Sequence, residues 1–393
     1  MNYPILQLKP KRERSILLKH PWIFSGALEK LPKAEEGEIV EVRSQDKKIL
    51  GYGFYSSHSQ ISCRMFDWKN EQGDFENETY WNEKVQHALA LRKTLINTEH
   101  TNTYRLIHAE GDFMPGIIVD IYKEVAVIQI LIKGVEKRKQ LIVAALNKAG
   151  FPNIYLKTKA GAQNVEAIDS SSGWLSGKGE EEIIVKENDV LFKVNIVTGQ
   201  KTGFFIDQRD SRAMLAQLAK DKTVLNTFCY TGGFSAYAFA GGAKEVHSVD
   251  ISEEAIKMTD ENVALNFPKA KHTSTAVDCF EFLKDMPENF YDLIVLDPPA
   301  FAKNARAVDK AARGYKEINM KAFQKIKSGG ILFTFSCSQN ISKDLFQKII
   351  FGAAADIGRN VRIIHQLTQP GDHPVNIYHP EGEYLKGLVL WVE

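Results

Sequence analysis

A cysteine and an aspartate follow two segments whose patterns predict buried β-strands. Asp297 opens the run Asp-Pro-Pro-Ala-Phe after a strand predicted at 291–296, and Cys337 stands between two serines after a strand predicted at 330–335. A thiolate that adds to carbon 6 of a cytosine or uracil makes carbon 5 of the ring nucleophilic. A carboxylate bonded to the amino group and ring nitrogen stabilises the charge that then develops on the ring. The pair is therefore suited to attack by carbon 5 on an electrophilic methyl group.

Both residues also have simpler interpretations. A single cysteine is more often a small core residue than a nucleophile, and a proline turn often only ends a strand. Pro298 and Pro299 restrict the backbone after the strand, however, and so direct the preceding carboxylate. A 3-2-1-4-5 strand order would make the two strands neighbours, which places Cys337 and Asp297 at one rim of the sheet.

A turn rich in glycine follows the first strand of the same region. It contains Phe228, Gly232 and Gly233, and Asp250 ends the next strand, at roughly the spacing of about 20 residues at which similar folds hold a ribose. These features predict a nucleoside cofactor. The glycines do not follow the GxGxxG spacing, which disfavours a dinucleotide, and they could serve packing alone.

Other polar residues occupy ambiguous positions. Asp278, after the third strand, could accept a hydrogen bond from an adenine amino group or could cap the helix that begins at Cys279. The hairpin between the last two strands carries side chains that could remove the carbon 5 proton or only shape the loop, namely Asp372, His373, His379, Glu381 and Glu383. His373 is also predicted to contact RNA.

The N-terminal segment is locally basic, although the whole chain has 50 Lys and Arg against 49 Asp and Glu. Glu13 is the only acid among five cations, which are Lys9, Lys11, Arg12, Arg14 and Lys19. Trp22 and Phe24 follow, and cations beside aromatic faces are typical of RNA-binding surfaces. A solvated arm beside core aromatics is an equal alternative.

The candidate residues can act together only if the fold brings the ends of several strands to one edge of a sheet. From about residue 200, strands alternate with helices, which predicts an α/β, doubly wound sheet. The predicted strands are 223–226, 245–249, 272–276, 291–296, 330–335, 361–365 and 387–392. Ligands bind such sheets beyond the carboxyl ends of the strands, where the strand order reverses.

The preceding residues show two other patterns. Alternating segments at 39–43, 49–55 and 61–66 predict a small all-β unit, and strands around a helix follow. Residues 187–189 are suited to a hairpin turn. We therefore predict three domains, an all-β domain at 1–70, a central α/β domain at 71–185 and a doubly wound domain at 186–393.

The composition is that of a globular protein. A length of 393 residues, with 44% apolar and 25% charged residues, predicts two or three folded domains. Four scattered cysteines without a CxxC pair support neither a zinc site nor a disulfide framework, and suggest a reducing compartment. We predict no metal site, signal peptide or membrane span, and a cytoplasmic location.

Five segments together resemble the bacterial large-subunit ribosomal RNA cytosine-5 methyltransferases. They are 199–209 (GQKTGFFIDQR), 229–234 (CYTGGF), 297–301 (DPPAF), 335–338 (FSCS) and 380–387 (PEGEYLKG). The resemblance covers nearly the whole chain. It implies a class I methyltransferase that uses S-adenosylmethionine, with an N-terminal PUA domain, a central α/β domain and a Rossmann-like catalytic domain.

The resemblance also implies roles for individual residues. Cofactor-binding roles fall to Phe228, Gly232, Asp250 and Asp278, together with the segment that contains Lys201, Asp207, Gln208 and Arg209. Asp297 would hold the target base and Cys337 would be the nucleophile. Pro298, Phe301 and His373 join the N-terminal cations as expected RNA contacts. Pro299 stands where many other RNA 5-methylcytosine enzymes carry a second cysteine.

Three alternatives remain open from the sequence. The same fold could methylate a nitrogen of guanine or adenine in RNA with Cys337 idle, or the protein could be a non-catalytic RNA-binding factor. A dinucleotide oxidoreductase is disfavoured by the glycine spacing. The resemblance predicts ribosomal RNA as a partner and suggests a homodimer.

Overall fold

The computed structural model describes residues 2–158, 168–302 and 304–393. The chain forms two compact units. Unit 1 comprises Met1–Val185, Val194–Ile206 and Gly371–Gly382, and unit 2 comprises Lys186–Lys193, Asp207–Pro370 and Glu383–Glu393. The first two predicted domains both lie within unit 1, and the boundaries at 70 and 185 remain predictions.

Unit 1 begins with a five-stranded sheet in the order β1-β3-β4-β5-β2. Its elements are β1 (Ile5–Gln7), α1 (Arg14–Leu17), β2 (Trp22–Phe24), β3 (Ile39–Arg43), β4 (Ile49–Tyr55) and β5 (Ile61–Asp67). The three predicted strands are confirmed. Their apolar side chains form a core with Leu6, Leu8 and Ile16, as expected for strands that bury apolar residues on one face.

A second five-stranded sheet completes most of unit 1, in the order β10-β9-β8-β7-β6. Its elements are α2 (Glu78–Leu95), β6 (Thr103–His108), β7 (Ile117–Tyr122), β8 (Val125–Ile130), α3 (Lys133–Lys137), α4 (Lys139–Lys148), β9 (Asn153–Leu156) and β10 (Gly173–Ser176). Asn77 caps α2 by accepting a hydrogen bond from the backbone N–H of Tyr80. Strand β8 is buried along its whole length, so the sheet is covered on both faces.

A hairpin spans the first boundary between the units. It consists of β11 (Glu182–Glu187) and β12 (Val190–Asn195). Asn188 and Asp189 form its turn with φ angles of 48° and 66°, a conformation that Asn and Asp tolerate. The predicted hairpin is confirmed.

Unit 2 contains the seven-stranded sheet predicted from the sequence. Its strands are β13 (Thr223–Thr227), β14 (Glu245–Asp250), β15 (His272–Ala276), β16 (Leu293–Leu296), β17 (Gly330–Ser336), β18 (Val361–Leu367) and β19 (Lys386–Val392). Its helices are α5 (Arg209–Leu218), α6 (Gly233–Ala240), α7 (Glu253–Asn266), α8 (Cys279–Asp285), α9 (Val308–Lys325) and α10 (Lys343–Ile357).

The strand order is β15-β14-β13-β16-β17-β19-β18, which confirms the predicted 3-2-1-4-5 arrangement. β19 is antiparallel to both neighbours. β13, β16 and β17 are buried throughout, because helices cover both faces of a central parallel strand. The order reverses between β13 and β16, so their carboxyl ends mark the expected ligand site.

In the part of the chain that the structure describes, no helix combines the length and apolar character needed to cross a membrane.

Candidate active site

The turn after β13 has an unusual backbone. Phe228, Tyr230 and Gly232 all have positive φ angles, of 55°, 47° and 77°. A side chain at Gly232 would also place its Cβ 2.7 Å from Cγ2 of Thr259. Both the backbone conformation and the available space therefore require glycine at position 232. The backbone of the turn stays close to the carboxyl end of β13.

Asp250 holds this turn in place. Its Oδ2 accepts a hydrogen bond from the backbone N–H of Tyr230 at 2.9 Å, and its Oδ1 accepts one from the N–H of Ser252 at 3.0 Å. The carboxylate thus joins the ends of two adjacent strands. A carboxylate offers about four lone-pair positions, so both oxygens can accept further bonds.

Asp278 caps α8, as one of its two interpretations proposed. Its Oδ1 accepts hydrogen bonds from the N–H groups of Phe280 at 2.8 Å and Glu281 at 3.3 Å. The side chain is exposed, and both of these bonds go to the same oxygen. The cap is confirmed, and adenine binding stays a prediction.

Asp297 lies directly beyond β16 and is bonded to a residue distant in sequence. The buried Gln208 donates from Nε2 to Asp297 Oδ1 at 3.0 Å. The neighbouring Asp207 accepts a bond from the Tyr384 hydroxyl at 2.8 Å. In the described residues, Gln208 Oε1 is buried without a hydrogen-bond partner. A buried acceptor without a partner in the described residues can accept a hydrogen bond from a ligand or from water.

The loop after Asp297 packs partly against the protein and is only partly exposed to solvent. Pro298 is buried, Pro299 is exposed and Phe301 is half-buried. The ring of Phe301 lies 4.6 Å from that of the buried Tyr315. Any contact between Phe301 and RNA is therefore limited to the part of the ring that remains accessible.

Cys337 is the most accessible of the four thiols. It is half-buried beyond β17, whereas Cys63, Cys229 and Cys279 are buried. Burial raises the pKa of Cys279 to about 12 and raises those of the other two buried thiols further. Leu296 of β16 pairs with Thr334 of β17, so Asp297 and Cys337 follow adjacent strands at the same end of the sheet.

Sequence reasoning missed Lys386 as a candidate for this site. The side chain is 5% exposed, and Nζ donates to the carbonyl oxygen of Ser338 at 2.7 Å. Lys386 also pairs with Ser336 in the antiparallel register. It lies within the segment 380–387 that contributed to the family resemblance, which was the one available signal.

The N-terminal cations are surface residues, as an RNA platform requires. Lys9, Lys11, Arg12 and Arg14 are all exposed, and Phe24 is 50% exposed. Trp22 differs, because its indole N–H donates to Glu110 Oε1 at 2.8 Å and its ring packs 4.4 Å from that of His379.

The loop between β18 and β19 belongs largely to unit 1, which contains Gly371–Gly382. Of the proposed hairpin residues, Glu383 alone lies in unit 2, and a role for the others in proton removal stays a prediction. His373 is 1% exposed and lies 3.1 Å from Asp372 Oδ1. Its ring packs 5.2 Å from that of His108. The buried ring offers little surface to RNA, and the contact of His373 with RNA stays a prediction.

Two known families match successive segments of the chain. Residues 6–68 match a PUA-like domain, and residues 112–378 match an S-adenosylmethionine-dependent methyltransferase. Proteins named ribosomal RNA large subunit methyltransferase I, from Alteromonas mediterranea and Pseudoalteromonas atlantica, are each 42% identical over 391 residues. Those alignments cover 98% of this chain and 98% of each relative.

Solved structures share the fold. A protein from Streptococcus mutans, described as a SAM-dependent methyltransferase, has a TM-score of 0.83 and 23% identity, covering 98% of this chain and 99% of its own. SMU.776, described as a methyltransferase complexed with SAH, has a TM-score of 0.85 and 24% identity with the same coverage. The chain therefore belongs to the S-adenosylmethionine-dependent methyltransferase family, together with the two ribosomal RNA large subunit methyltransferases I, and it carries a PUA-like N-terminal domain.

Proposed function

We propose that this enzyme forms 5-methylcytosine in large-subunit ribosomal RNA through a covalent bond between Cys337 and carbon 6 of the target base. The observation that carries the proposal is the half-buried Cys337 beyond β17, next to the strand β16 that Asp297 follows. The names of the relatives support ribosomal RNA as the substrate.

The turn after β13 and the carboxylates beyond β14 and β15 fit S-adenosylmethionine. Asp250 keeps acceptor positions for a pair of ribose hydroxyls, and Asp278 uses only Oδ1 in capping. Phe228 would provide an apolar wall, and its ring lies 6.4 Å from that of Phe280. Bound there, the cofactor supplies an electrophilic methyl group.

The segment before α5 joins this pocket to the base-binding carboxylate. Gln208 would fix Asp297 through Nε2, while its buried Oε1 accepts a hydrogen bond from an amino group of the cofactor or the base. Asp207, held by Tyr384, would set the position of the segment. A bond from a neutral amide orients a carboxylate without neutralising its charge.

The proposed reaction begins with the thiolate of Cys337. Its electron pair forms the sulfur–carbon 6 bond, and the electrons of the carbon 5–carbon 6 double bond move toward carbon 5 and the ring. Asp297, at the amino group and ring nitrogen, stabilises that charge. Carbon 5 then takes the methyl group, with S-adenosylhomocysteine as the leaving group. A base removes the carbon 5 proton, the electron pair of that bond re-forms the double bond, and the sulfur–carbon 6 bond breaks and returns its electron pair to Cys337. Pro299 provides no second thiol for this release.

Carbon 5 of a stacked base is inaccessible, so the enzyme must act on an unpaired or flipped nucleotide. The exposed cations Lys9, Lys11, Arg12 and Arg14 would bind neighbouring phosphates, and affinity should fall as salt rises.

The direct test is methyl transfer from labelled S-adenosylmethionine to unmodified ribosomal RNA, followed by digestion and mass identification of the nucleoside. We expect 5-methylcytosine with the wild type and with Cys63→Ala, a control at a buried thiol, and none with Cys337→Ala. Activity of Cys337→Ala, or a methylated purine, would overturn the covalent mechanism. Cofactor binding without transfer would indicate a non-catalytic factor.

A further inference from the structure

Lys386 contacts the residues on both sides of Cys337, the proposed nucleophile. It pairs with Ser336, the residue before Cys337, and its Nζ donates to the carbonyl of Ser338, the residue after it. These two contacts place Lys386 beside the backbone on both sides of Cys337. A negative charge at Cys337 raises the pKa of Lys386, so the two groups lie within electrostatic range.

The surroundings of Lys386 offer few other charges. Glu383 forms an ion pair with Lys343 at the start of α10, and Lys343 is itself a like charge. Tyr315 of α9 donates to or accepts from the hydroxyl of Ser338 at 3.0 Å, and burial raises the pKa of Tyr315, which keeps it neutral. A buried ammonium bonded to a neutral carbonyl is costly unless an anion lies nearby. A thiolate at Cys337 would supply that anion.

We propose that Lys386 is a positioning residue that keeps Cys337 in its thiolate form, with the thiol proton released to water. The ammonium group acts through its charge and anchors the strand end through the carbonyl of Ser338. The inference rests on the proposed function for its catalytic meaning, but the ionisation of Cys337 can be measured without RNA or cofactor.

The electrostatics support this geometry. Burial lowers the pKa of Lys386 to about 8, while Cys337 and Glu383 oppose that change and Lys343 adds to it. Lys386 is therefore mainly cationic at pH 7. An opposite charge within about 4–6 Å commonly changes a pKa by about 1–3 units, so the same ammonium favours the thiolate.

The test is the rate at which iodoacetamide alkylates Cys337 in the full-length protein as a function of pH, followed by peptide mass analysis. Lys386→Met removes the charge and the hydrogen bond. Lys386→Gln keeps a donor for the carbonyl without the charge, and Lys386→Arg keeps the charge. We expect about tenfold slower alkylation at pH 7 for the Met and Gln variants, with a midpoint raised by about one unit. The Arg variant should retain most of the rate.

Lys157 provides a matched control. It is also buried, its Nζ donates to the carbonyl of Gly199 in unit 1, and burial alone lowers its pKa to about 8. Lys157→Met should leave the alkylation profile unchanged. If the Met variant of Lys386 fails to fold, the Gln and Arg variants still separate charge from hydrogen bonding. An unchanged midpoint in Lys386→Gln would overturn the inference.

The two proposals can fail separately. If Cys337→Ala still methylates RNA while Lys386→Gln raises the midpoint of alkylation, the thiol is activated but the proposed reaction is wrong. If Cys337→Ala is inactive and Lys386→Gln alkylates like the wild type, the reaction stands and Lys386 has no electrostatic role. If both proposals are correct, Lys386→Gln should lower kcat at pH 7 and leave KM for RNA unchanged. The variant should then regain activity as pH rises.

Discussion

Unit 1 and unit 2 each bury a lysine against a backbone carbonyl, and the two environments differ in one respect. Lys157 is 9% exposed and Lys386 is 5% exposed, and burial lowers the pKa of each to about 8. Only burial changes the pKa of Lys157, whereas the charges of Cys337, Glu383 and Lys343 also act on the pKa of Lys386. A buried lysine alone is therefore no sign of function, and the neighbouring thiol distinguishes the second lysine.

The buried carboxylates show the same contrast. Asp120 of unit 1 accepts two hydrogen bonds from the guanidinium of Arg105, at 2.7 and 2.8 Å, and one from the Thr202 hydroxyl at 2.5 Å. Asp297 of unit 2 is half-buried and accepts a bond from an amide whose own oxygen is unsatisfied among the described residues. A completed network stabilises a fold, whereas the free oxygen of Gln208 beside Asp297 can still accept a hydrogen bond from a ligand.

The largest expected effect separates these two carboxylates. Asp120→Ala leaves the buried Arg105 without its carboxylate and should lower the free energy of unfolding by about 3–5 kcal/mol. Urea denaturation of this variant measures the loss, with Asp46→Ala as a control at an exposed aspartate. A loss below about 1 kcal/mol would show that the Arg105–Asp120 pair is not structural.

Asp297→Ala should reduce activity strongly and change stability little, in contrast to Asp120→Ala. Loss of charge stabilisation in the transition state should reduce kcat by about 10²–10³-fold, while urea stability stays within about 1 kcal/mol of the wild type because the carboxylate is half-buried. Single-turnover methylation and urea denaturation measured on the same preparation check both parts. A stable variant with full activity would exclude Asp297 from the reaction.

Gln208→Ala should have a smaller effect on turnover. A hydrogen bond to a charged group contributes about 1.5–3 kcal/mol, which corresponds to a decrease of roughly 10–100-fold in kcat/KM. Gln324→Ala, at an exposed glutamine of α9, is the matched control. Equal activities of the two variants would show that Gln208 does not orient Asp297.

The smallest effect is on the pH dependence of stability. Burial lowers the pKa of each lysine from 10.5 to about 8 in the folded protein. Between about pH 8 and 10.5 the unfolded chain thus binds more protons, and each lysine makes stability rise with pH, by at most about 1.4 kcal/mol per unit. Lys157→Met should reduce that slope between pH 8 and 9.5, measured by urea denaturation. An unchanged slope would contradict the lowered pKa.

The sequence predicted the sheet of unit 2 and its strand order because central parallel strands are continuous apolar runs. It also placed Asp297 and Cys337 directly after adjacent strands, at the end of the sheet where ligands bind such folds. It did not predict the bond from Gln208 to Asp297, which joins positions 89 residues apart. It did not predict that His373 is buried, because no local pattern shows that a loop between two strands of the unit 2 sheet belongs to unit 1.

That loop has a consequence for the order of folding during synthesis. Asp372 lies in Gly371–Gly382, where its carboxylate accepts a bond from the N–H of Arg105 and its carbonyl accepts one from Arg92. Domains generally begin to fold on the ribosome as soon as their residues have emerged. Unit 1 contains the first residues to emerge, yet it cannot complete its buried polar contacts until almost the whole chain has been translated. Unit 1 should therefore acquire its full stability only near the end of synthesis.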